Sequence, residues 1–390
     1  MTLIYVATGE QSGDVLGARL IAALRAARPD LEFAGIGGPR MAEQGVESLF
    51  PLRELAVMGL LEVLPRILRL RRLLDGAVAD VLARRPAVLV TIDSPGFTLR
   101  LLRRVAPSGI RRVHYVAPQA WAWRESRVRH FPGLWDRLLC LLPFEPAFFA
   151  RHGLEATFVG HPVLESGAGQ GDAARFRAAH GVSADARVVV LMPGSRRSEV
   201  TRLLPIFGRA LSLLAARIPG IVPVVPVASA VAETVRAGAE SWPVRPVIVT
   251  EIQAKHDAYA AASAALTKSG TSTLELALAG VPMIVAYRVN PLTAAIARRL
   301  VKVPYAALVN LLAGREVVPE LIQDCTPERL AEGVARLLTD GRTAEEQREA
   351  FRTVLDSLAP PGATPSEAAA AAVLGLLADS DAPQPLSGSI

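Results

Sequence analysis

The segment RVVVLMPGSRRSEV, residues 187–200, decides the fold class, because it predicts a buried strand, a tight turn and a helix in direct succession. The residues before the turn are almost all apolar, which is typical of a strand covered on both faces of a parallel sheet. Gly194 permits a tight turn, and Ser195 can cap the helix that follows. Strands that alternate with helices in this way build βαβ units with right-handed crossovers.

The same alternation continues on both sides of this segment. Further apolar runs predict strands at 3–8, 31–36, 87–92, 112–117, 138–142, 222–228, 244–250, 263–268 and 282–287. The glycine-rich stretch SGAGQGD, 166–172, interrupts the pattern and indicates a linker. We therefore predict an α/β protein with two Rossmann-like doubly wound domains facing a cleft, the first over 1–165 and the second over 166–340.

Composition narrows the class of protein. The 390 residues are 51% hydrophobic and 21% charged, an ordinary balance for a globular α/β chain with room for two cores. The net charge of +6 suits phosphorylated or anionic lipid partners, whereas 5% aromatic residues give no sign of stacking on bases, so we expect no nucleic acid. Two distant cysteines and the lack of a leader or membrane-spanning run favour a reducing, cytoplasmic location.

The turn PGSRRSEV is the first candidate for chemistry. Free N–H groups at a helix start bind anions, and Arg196 adds a full positive charge beside Gly194 and Ser195. The Gly-Lys-Ser/Thr ending of a Walker loop is missing. The alternative is a capped helix after a turn, with no ligand.

A second turn of the same kind is KSGTSTLELALAG, 268–280. A strand again ends in glycine and small hydroxyl residues that can hold a diphosphate, namely Ser269, Gly270, Thr271, Ser272 and Thr273. Glu275 lies one turn into the helix, where a carboxylate can accept both hydroxyls of a ribose. Alternatively, Ser272 and Glu275 form a capping box that serves only the helix end. Two such turns in one half of the chain favour a nucleotide diphosphate site.

The stretch TIDSPGFTLRLLRR, 91–104, supplies a candidate base. Asp93 ends an apolar strand, and ligands of open α/β sheets lie beyond the carboxyl ends of strands. A carboxylate there can deprotonate an attacking hydroxyl. The alternative is that Asp93 or Ser94 caps a helix that begins at Pro95. His161 is open to a structural interpretation, and the six histidines show no metal-ligand spacing, so no metal is expected.

Residues 54–74 form an apolar segment with interleaved arginines. Such a segment can lie on an anionic bilayer surface, although a buried helix or a dimer contact has a similar composition. The candidates for contact with a membrane or acyl chains are Val57, Met58, Leu60, Leu61, Leu64, Arg66, Ile67, Leu68, Arg69 and Arg72.

Ten stretches in order over about 3–330 resemble the lipid-A-disaccharide synthase family. They are GEQSGD (9–14), GIGGPRM (35–41), MGLLEVLP (58–65), DSPGF (93–97), APQAWAWR (117–124), PFEPAFF (143–149), FVGHP (158–162), PGSRRSEV (193–200), SGTSTLE (269–275) and NLLAGREVVPELIQD (310–324). The resemblance implies a GT-B type fold and inverting transfer of 2,3-diacylglucosamine from its UDP derivative to 2,3-diacylglucosamine 1-phosphate. The implied products are the β(1→6) lipid A disaccharide 1-phosphate and UDP.

The resemblance also implies roles for individual residues. Asp93 becomes the base for the acceptor 6-hydroxyl, the two turns become the UDP diphosphate site, and Glu275 becomes the ribose ligand. Asn310 and Gln323 are implied on the UDP side, and Ser12, Gly13, Asp14 and Glu320 line the acceptor side or the cleft. The family uses no metal or other cofactor, so UDP enters only as part of the substrate.

Partners and location follow from the same resemblance. Acyl-chain substrates favour a membrane-surface role for 54–74, with the protein peripheral to the cytoplasmic side of the inner membrane of a Gram-negative bacterium. Helices within 341–378 are expected to pack on the N-terminal domain of the same or a partner subunit, in a possible homodimer, and 379–390 to form a disordered tail. The rivals are another UDP-sugar enzyme of this fold, such as a UDP-N-acetylglucosamine 2-epimerase, and a non-catalytic membrane-surface protein.

Overall fold

A computed structural model describes residues 2–55, 67–123, 125–290, 294 and 300–378. The predicted membrane contacts Val57, Met58, Leu60, Leu61, Leu64 and Arg66 lie outside the described residues, as does the predicted tail at 379–390. The chain divides into two compact units, one of Met1–Pro162 with Leu358–Ile390 and one of Val163–Ser357. Across the described ranges, none of the helices has the length and apolar character needed to span a bilayer.

Twelve strands form two parallel sheets within the described ranges. The first unit contains β1 (Thr2–Thr8), β2 (Leu31–Ile36), β3 (Val88–Ile92), β4 (Arg111–Tyr115), β5 (Arg137–Cys140) and β6 (Ala156–Phe158). The second contains β7 (Arg187–Met192), β8 (Ile221–Pro226), β9 (Val247–Val249), β10 (Ala262–Lys268), β11 (Met283–Tyr287) and β12 (Glu320–Ile322). The predicted α/β class with two doubly wound units is confirmed.

Helices connect these strands. In the first unit they are α1 (Gln11–Ala27), α2 (Pro39–Glu43), α3 (Ile67–Arg84), α4 (Pro95–Val105), α5 (Ala120–Trp123) and α6 (Glu145–Ala150). The second unit has α7 (Ala173–His180), α8 (Arg197–Arg217), α9 (Ala232–Ala239), α10 (Ile252–Ala261), α11 (Ser272–Leu278), α12 (Leu308–Ala313), α13 (Pro327–Thr339) and α14 (Gly341–Ser357). The last helix, α15 (Pro365–Ala378), belongs to the first unit.

Both faces of each sheet are covered, which explains why the strands are continuously apolar. In β1, Ile4 and Val6 pack into a core with α1 and α15, whereas Tyr5 and Ala7 pack into a second core with α3 and α4. Successive residues of a strand point to opposite faces, so a strand buried on both sides needs apolar side chains at every position.

The two C-terminal helices join different units. Within the second unit, Gln347 Oε1 of α14 accepts a hydrogen bond from Met283 N of β11 at 2.8 Å. Helix α14 thus belongs to the second unit, whereas the sequence predicts that all helices within 341–378 pack on the N-terminal domain. Helix α15 packs on α1 through Ala369, Val373 and Leu377. A capping box is present at its start, because the Glu367 carboxylate accepts from Thr364 N at 2.8 Å and Thr364 Oγ1 accepts from Glu367 N at 3.3 Å.

Candidate active site

The strand order of the second unit creates a crevice at the ends of two central strands. The sheet runs β12-β11-β10-β7-β8-β9, so the chain moves outward from β7 on one side and returns at β10 to continue on the other. Ligands of open α/β sheets bind where the strand order reverses, outside the carboxyl ends of the strands. The two turns singled out in the sequence follow β7 and β10, and the fold therefore brings them together.

A cavity of about 340 Å³ lies at this position. Both turns contribute to it, and β8, β9 and α10 complete its wall. The lining residues are Met192, Gly194, Ser195, Pro226, Val227, Ala228, Val249, Thr250, Ile252, Lys255, Lys268, Thr271 and Ser272. One part of the wall is apolar, and the other carries hydroxyl and ammonium groups.

The turn after β7 differs from the prediction in how the helix is capped. Gly194 has a φ of +124°, a conformation that favours glycine. Ser195 does not cap α8, because Arg196 occupies the N-cap position and has an exposed side chain. The Glu199 carboxylate instead accepts from Ser195 N at 3.2 Å and from Arg196 N at 3.3 Å. The predicted anion donors are present, and a carboxylate of the chain occupies them.

The turn after β10 presents only part of its predicted set. Gly270 has a φ of +149°, and Thr271 and Ser272 line the cavity. Ser269 Oγ donates to Ala306 O at 2.7 Å, and the fully buried Thr273 Oγ1 donates to Gly270 O at 2.8 Å. Ser269 and Thr273 therefore stabilise the turn, whereas Thr271 and Ser272 face the cavity.

Glu275 does not form the capping box that the sequence allowed. Its carboxylate lies 3.1 Å from Lys255 Nζ and accepts from Tyr259 OH at 3.2 Å. Burial is the main cause that raises the pKa of Tyr259, and the nearby Glu275 carboxylate raises it further, so the phenol stays a hydrogen-bond donor. Lys255 lines the cavity, and Glu275 forms a half-buried polar pair with it.

The motif NLLAGREVVPELIQD, 310–324, which we call the late motif, is placed differently from its prediction. Asn310 is fully buried, with Nδ2 donating to Val318 O and Glu320 Oε1 at 2.8 and 2.7 Å, and Oδ1 accepting from Val317 N and Val318 N at 2.7 and 2.9 Å. All its hydrogen-bonding groups are used internally, so a direct contact with UDP is not available to it.

Glu320 and Gln323 are also engaged within the second unit. Glu320 accepts from Ala306 N and Ala307 N at 2.8 and 3.0 Å, beside the carbonyl that binds Ser269. Gln323 has a φ of +65°, and its side chain binds Val289 N at 2.9 Å and Val289 O at 3.3 Å. Because neither residue lines the cavity, we assign both to shaping the loops around it.

In the first unit, Asp93 follows β3 at the corresponding reversal of strand order, β2-β1-β3-β4-β5-β6. Asp93 and Ser94 have φ values of +50° and +47°, which side-chain-bearing residues adopt at a cost of about 1–3 kcal/mol each. Ser94 takes the N-cap position of α4 without a side-chain cap, so the simple capping alternative does not hold. Burial raises the pKa of the Asp93 carboxyl, partly offset by a hydrogen bond from the Ser94 backbone. Strain and a raised pKa are both typical of a functional carboxyl.

The GEQSGD motif has a mainly structural arrangement. Asp14 is buried, and its carboxylate accepts from Gly38 N, Arg40 N and Met41 N at 2.7, 3.0 and 3.1 Å. It therefore holds the start of α2, and any effect on an acceptor is indirect. Gly13 lies where a Cβ would be 1.9 Å from Thr8 Oγ1. Ser12 is exposed at the start of α1 and remains available.

Three charged residues near the predicted sites were missed in the sequence. Lys255 and Lys268 line the cavity, and each pairs with a carboxylate more than ten positions away, which no local spacing signals. Glu145, in PFEPAFF, is buried and accepts from Trp121 Nε1 and from Leu142 N, both at 3.0 Å. Burial raises its pKa to about 7. Glu145 thereby links this motif to APQAWAWR.

Two of the histidines, His114 and His161, are packed inside the first unit. His114 is fully buried, its Nδ1 lies 2.9 Å from Thr91 Oγ1, and burial lowers its pKa to about 3. His161 is buried, its backbone N–H donates to Leu358 O at 3.0 Å, and burial lowers the pKa of its imidazole to about 4. The structural interpretation of His161 is therefore favoured over a catalytic one.

The start of α3 exposes both apolar and basic side chains. Leu68 is 70% and Ile67 is 49% exposed, a high fraction for apolar residues of a helix. Arg69 reaches Glu54 at 2.5 Å, and Arg72 is exposed. These four are the described members of the predicted membrane-contact set.

Solved structures of other proteins have a similar fold. A spinosyn rhamnosyltransferase in complex with thymidine diphosphate superposes with a TM-score of 0.58 at 17% identity, covering 96% of this chain and 100% of that one. A UDP-N-acetylglucosamine 2-epimerase described as putative, from Listeria monocytogenes, gives 0.63 at 13% identity, covering 100% and 99%. At these identities the likeness concerns the fold alone, which is that of GT-B glycosyltransferases and related epimerases.

Sequence comparison separates these classes. A family model described as lipid-A-disaccharide synthetase matches residues 4–373. A lipid-A-disaccharide synthase of Gluconobacter oxydans (strain 621H) is 62% identical over 376 residues, with 96% of this chain and 91% of that protein covered. Another, of Granulibacter bethesdensis, is 60% identical over 387 residues, with 96% and 98% covered.

The fold is thus of the GT-B type, and the family match makes the chain a glycosyltransferase of that type. The chain belongs to the lipid-A-disaccharide synthase family. The epimerase and non-catalytic alternatives are not favoured.

Proposed function

We propose that this protein transfers 2,3-diacylglucosamine from UDP-2,3-diacylglucosamine to 2,3-diacylglucosamine 1-phosphate, giving the β(1→6) lipid A disaccharide 1-phosphate and UDP. The main support for UDP binding is the cavity at the strand-order reversal, which has a glycine turn on either side and two lysines in its wall. Family membership supports the lipid and sugar half.

Asp93 is the proposed general base. Its carboxylate takes the proton of the acceptor 6-hydroxyl as that oxygen bonds to the anomeric carbon of the donor, and the bond from that carbon to the UDP oxygen breaks. A single displacement inverts the anomeric centre and needs no covalent sugar intermediate. A base with a raised pKa is better matched to proton transfer near neutral pH than an ordinary aspartate.

The leaving diphosphate is proposed to bind the two turns without a metal or other cofactor. Arg196, the backbone N–H groups of the first turn, and Thr271 and Ser272 would supply fixed positive charge and donors to the departing oxygen. Glu275 would accept the ribose hydroxyls from its half-buried position beside Lys255.

A peripheral position on the cytoplasmic face of the inner membrane is also part of the proposal, and a homodimer is compatible with it. Both substrates carry acyl chains, and the first turn of α3 combines exposed Ile67 and Leu68 with exposed arginines. Apolar side chains that enter the interface beside cations that contact anionic headgroups are typical of peripheral binding.

The deciding experiment measures UDP released from UDP-2,3-diacylglucosamine with and without the acceptor. We expect release only with the acceptor, and an Asp93→Asn variant that binds UDP like wild type but turns over at least about 100-fold more slowly. Release that ignores the acceptor contradicts the proposed transfer. Full turnover by Asp93→Asn removes Asp93 as the base and leaves the transfer intact.

A further inference from the structure

Lys268 connects the two turns of the nucleotide cavity. It is the last residue of β10, and its ammonium lies 3.3 Å from Glu199 Oε1 in the first turn of α8. Both side chains are largely buried, with 22% and 14% exposed. The pair thus joins the end of one central strand to the helix that follows the other.

Glu199 occupies the anion-binding N–H groups of the turn after β7. Its Oε2 accepts from both Ser195 N and Arg196 N, the backbone groups that the helix start offers to a negatively charged ligand. The carboxylate also packs over Gly194, where a Cβ would lie 2.4 Å from Oε2. A negative group of the chain therefore stands where an external anion would bind.

The Lys268 ammonium reaches the second turn as well. It lies 3.0 Å from the position of a Cβ on Gly270, so the side chain folds over that glycine. Both Lys268 and Ser195 line the cavity. An anion that enters between the turns thus meets a largely buried cation that is paired with a carboxylate.

We propose that Lys268 binds the diphosphate of the substrate and of UDP, and that the diphosphate displaces Glu199 from the N–H groups of Ser195 and Arg196. This inference rests on the proposed function and adds Lys268 to the residues that bind the diphosphate. The exchange replaces one anion by another at the same donors, so Lys268 and the two N–H groups keep a partner in both states. Glu199 then acts as a competitor that weakens binding in proportion to its occupancy of the donors.

The test is calorimetric titration of the full chain with UDP and, separately, with uridine, which lacks the diphosphate. Lys268→Met should weaken UDP binding about 10- to 100-fold, as expected for loss of a charge-assisted contact, with uridine binding unchanged. Lys268→Arg should stay within about threefold of wild type, and Glu199→Gln should bind UDP at least about threefold more tightly. Arg217→Met is the matched control, because it removes one positive charge from the last turn of α8, about 30 Å along the helix.

The outcomes separate the possibilities. The role of Lys268 is overturned if Lys268→Met binds UDP with the same affinity as Arg217→Met. It is also overturned if Lys268→Met loses affinity for UDP and for uridine to the same extent. Glu199→Gln with unchanged or weaker UDP binding overturns the displacement. If wild type binds no UDP, the proposed nucleotide site itself is wrong and this inference falls with it.

Discussion

Replacing Asn310 by alanine tests whether the late motif acts on structure or on ligand. The sequence implies a UDP contact, whereas the structure buries Asn310 completely and uses both its amide groups. Alanine leaves Val317 N and Val318 N without their acceptor. Each orphaned donor costs about 1–3 kcal/mol, giving about 2–6 kcal/mol in total. A water that enters the vacated space lowers this to about 2–4 kcal/mol.

The loss should appear as earlier unfolding of the second unit. With a urea dependence of about 2–3 kcal/mol per molar, the midpoint should fall by about 1 M. Peptide-resolved hydrogen exchange along a urea series follows the two units separately, which a single spectroscopic midpoint cannot do. Gln323→Ala is the graded control, because it leaves Val289 N without its acceptor and removes a longer hydrogen bond to Val289 O, both at a half-buried position, and should cost about 1 kcal/mol.

The two interpretations give opposite results. An Asn310→Ala protein that unfolds at the wild-type urea concentration, yet binds UDP much more weakly, refutes the structural assignment. A large drop in midpoint, with the residual folded protein still binding UDP, supports it.

Three further predictions test other parts of the molecule. Gly13→Ala places a Cβ against Thr8 Oγ1 and should lower the thermal midpoint, at a cost of about 1–3 kcal/mol. Gly96→Ala is the control, because open space surrounds Gly96, and it should be neutral or slightly stabilising. Equal midpoints for the two variants would contradict the packing argument. The buried His114 stays neutral in the folded state because its pKa is lowered to about 3. Below pH 6.5 the unfolded chain therefore takes up a proton that the folded chain does not, and the free energy of unfolding decreases as the pH is lowered. At pH 4.5 this loss is about 3 kcal/mol by urea unfolding, and His114→Gln should remove it; an unaltered pH dependence in that variant would exclude this origin. The triple variant Arg69→Glu, Arg71→Glu and Arg72→Glu reverses the charge of three exposed arginines of α3. It should weaken sedimentation with phosphatidylglycerol vesicles at least about tenfold, and unchanged sedimentation would exclude this surface as the membrane contact.

Several elements could be predicted because their signal is local. The runs at 187–192 and 263–268 became β7 and β10 almost to the residue. Strands β6 and β12 were missed, because three residues at or near a sheet edge carry no periodic pattern.

The candidate site was predicted only in part. The glycines of both turns were identified, since a tight turn between a strand and a helix has a local signature. Which polar side chains face the cavity was not identifiable, because each competes for partners that are distant in the chain. Asn310 and Ser269 therefore bind backbone groups of the chain, while Lys268 lines the cavity wall.

By itself, the sequence determined that this protein is a doubly wound α/β chain with two phosphate-type turns, because periodicity and turn chemistry depend on neighbouring residues. Only the tertiary structure decided that the two turns meet at one reversal of strand order, since that depends on which strands pair. It also decided that Glu199, paired with Lys268 across 69 positions, holds the donors of the first turn. Hydrogen bonds and ion pairs form between groups that folding brings within about 3 Å, and their separation along the chain leaves no pattern in the sequence.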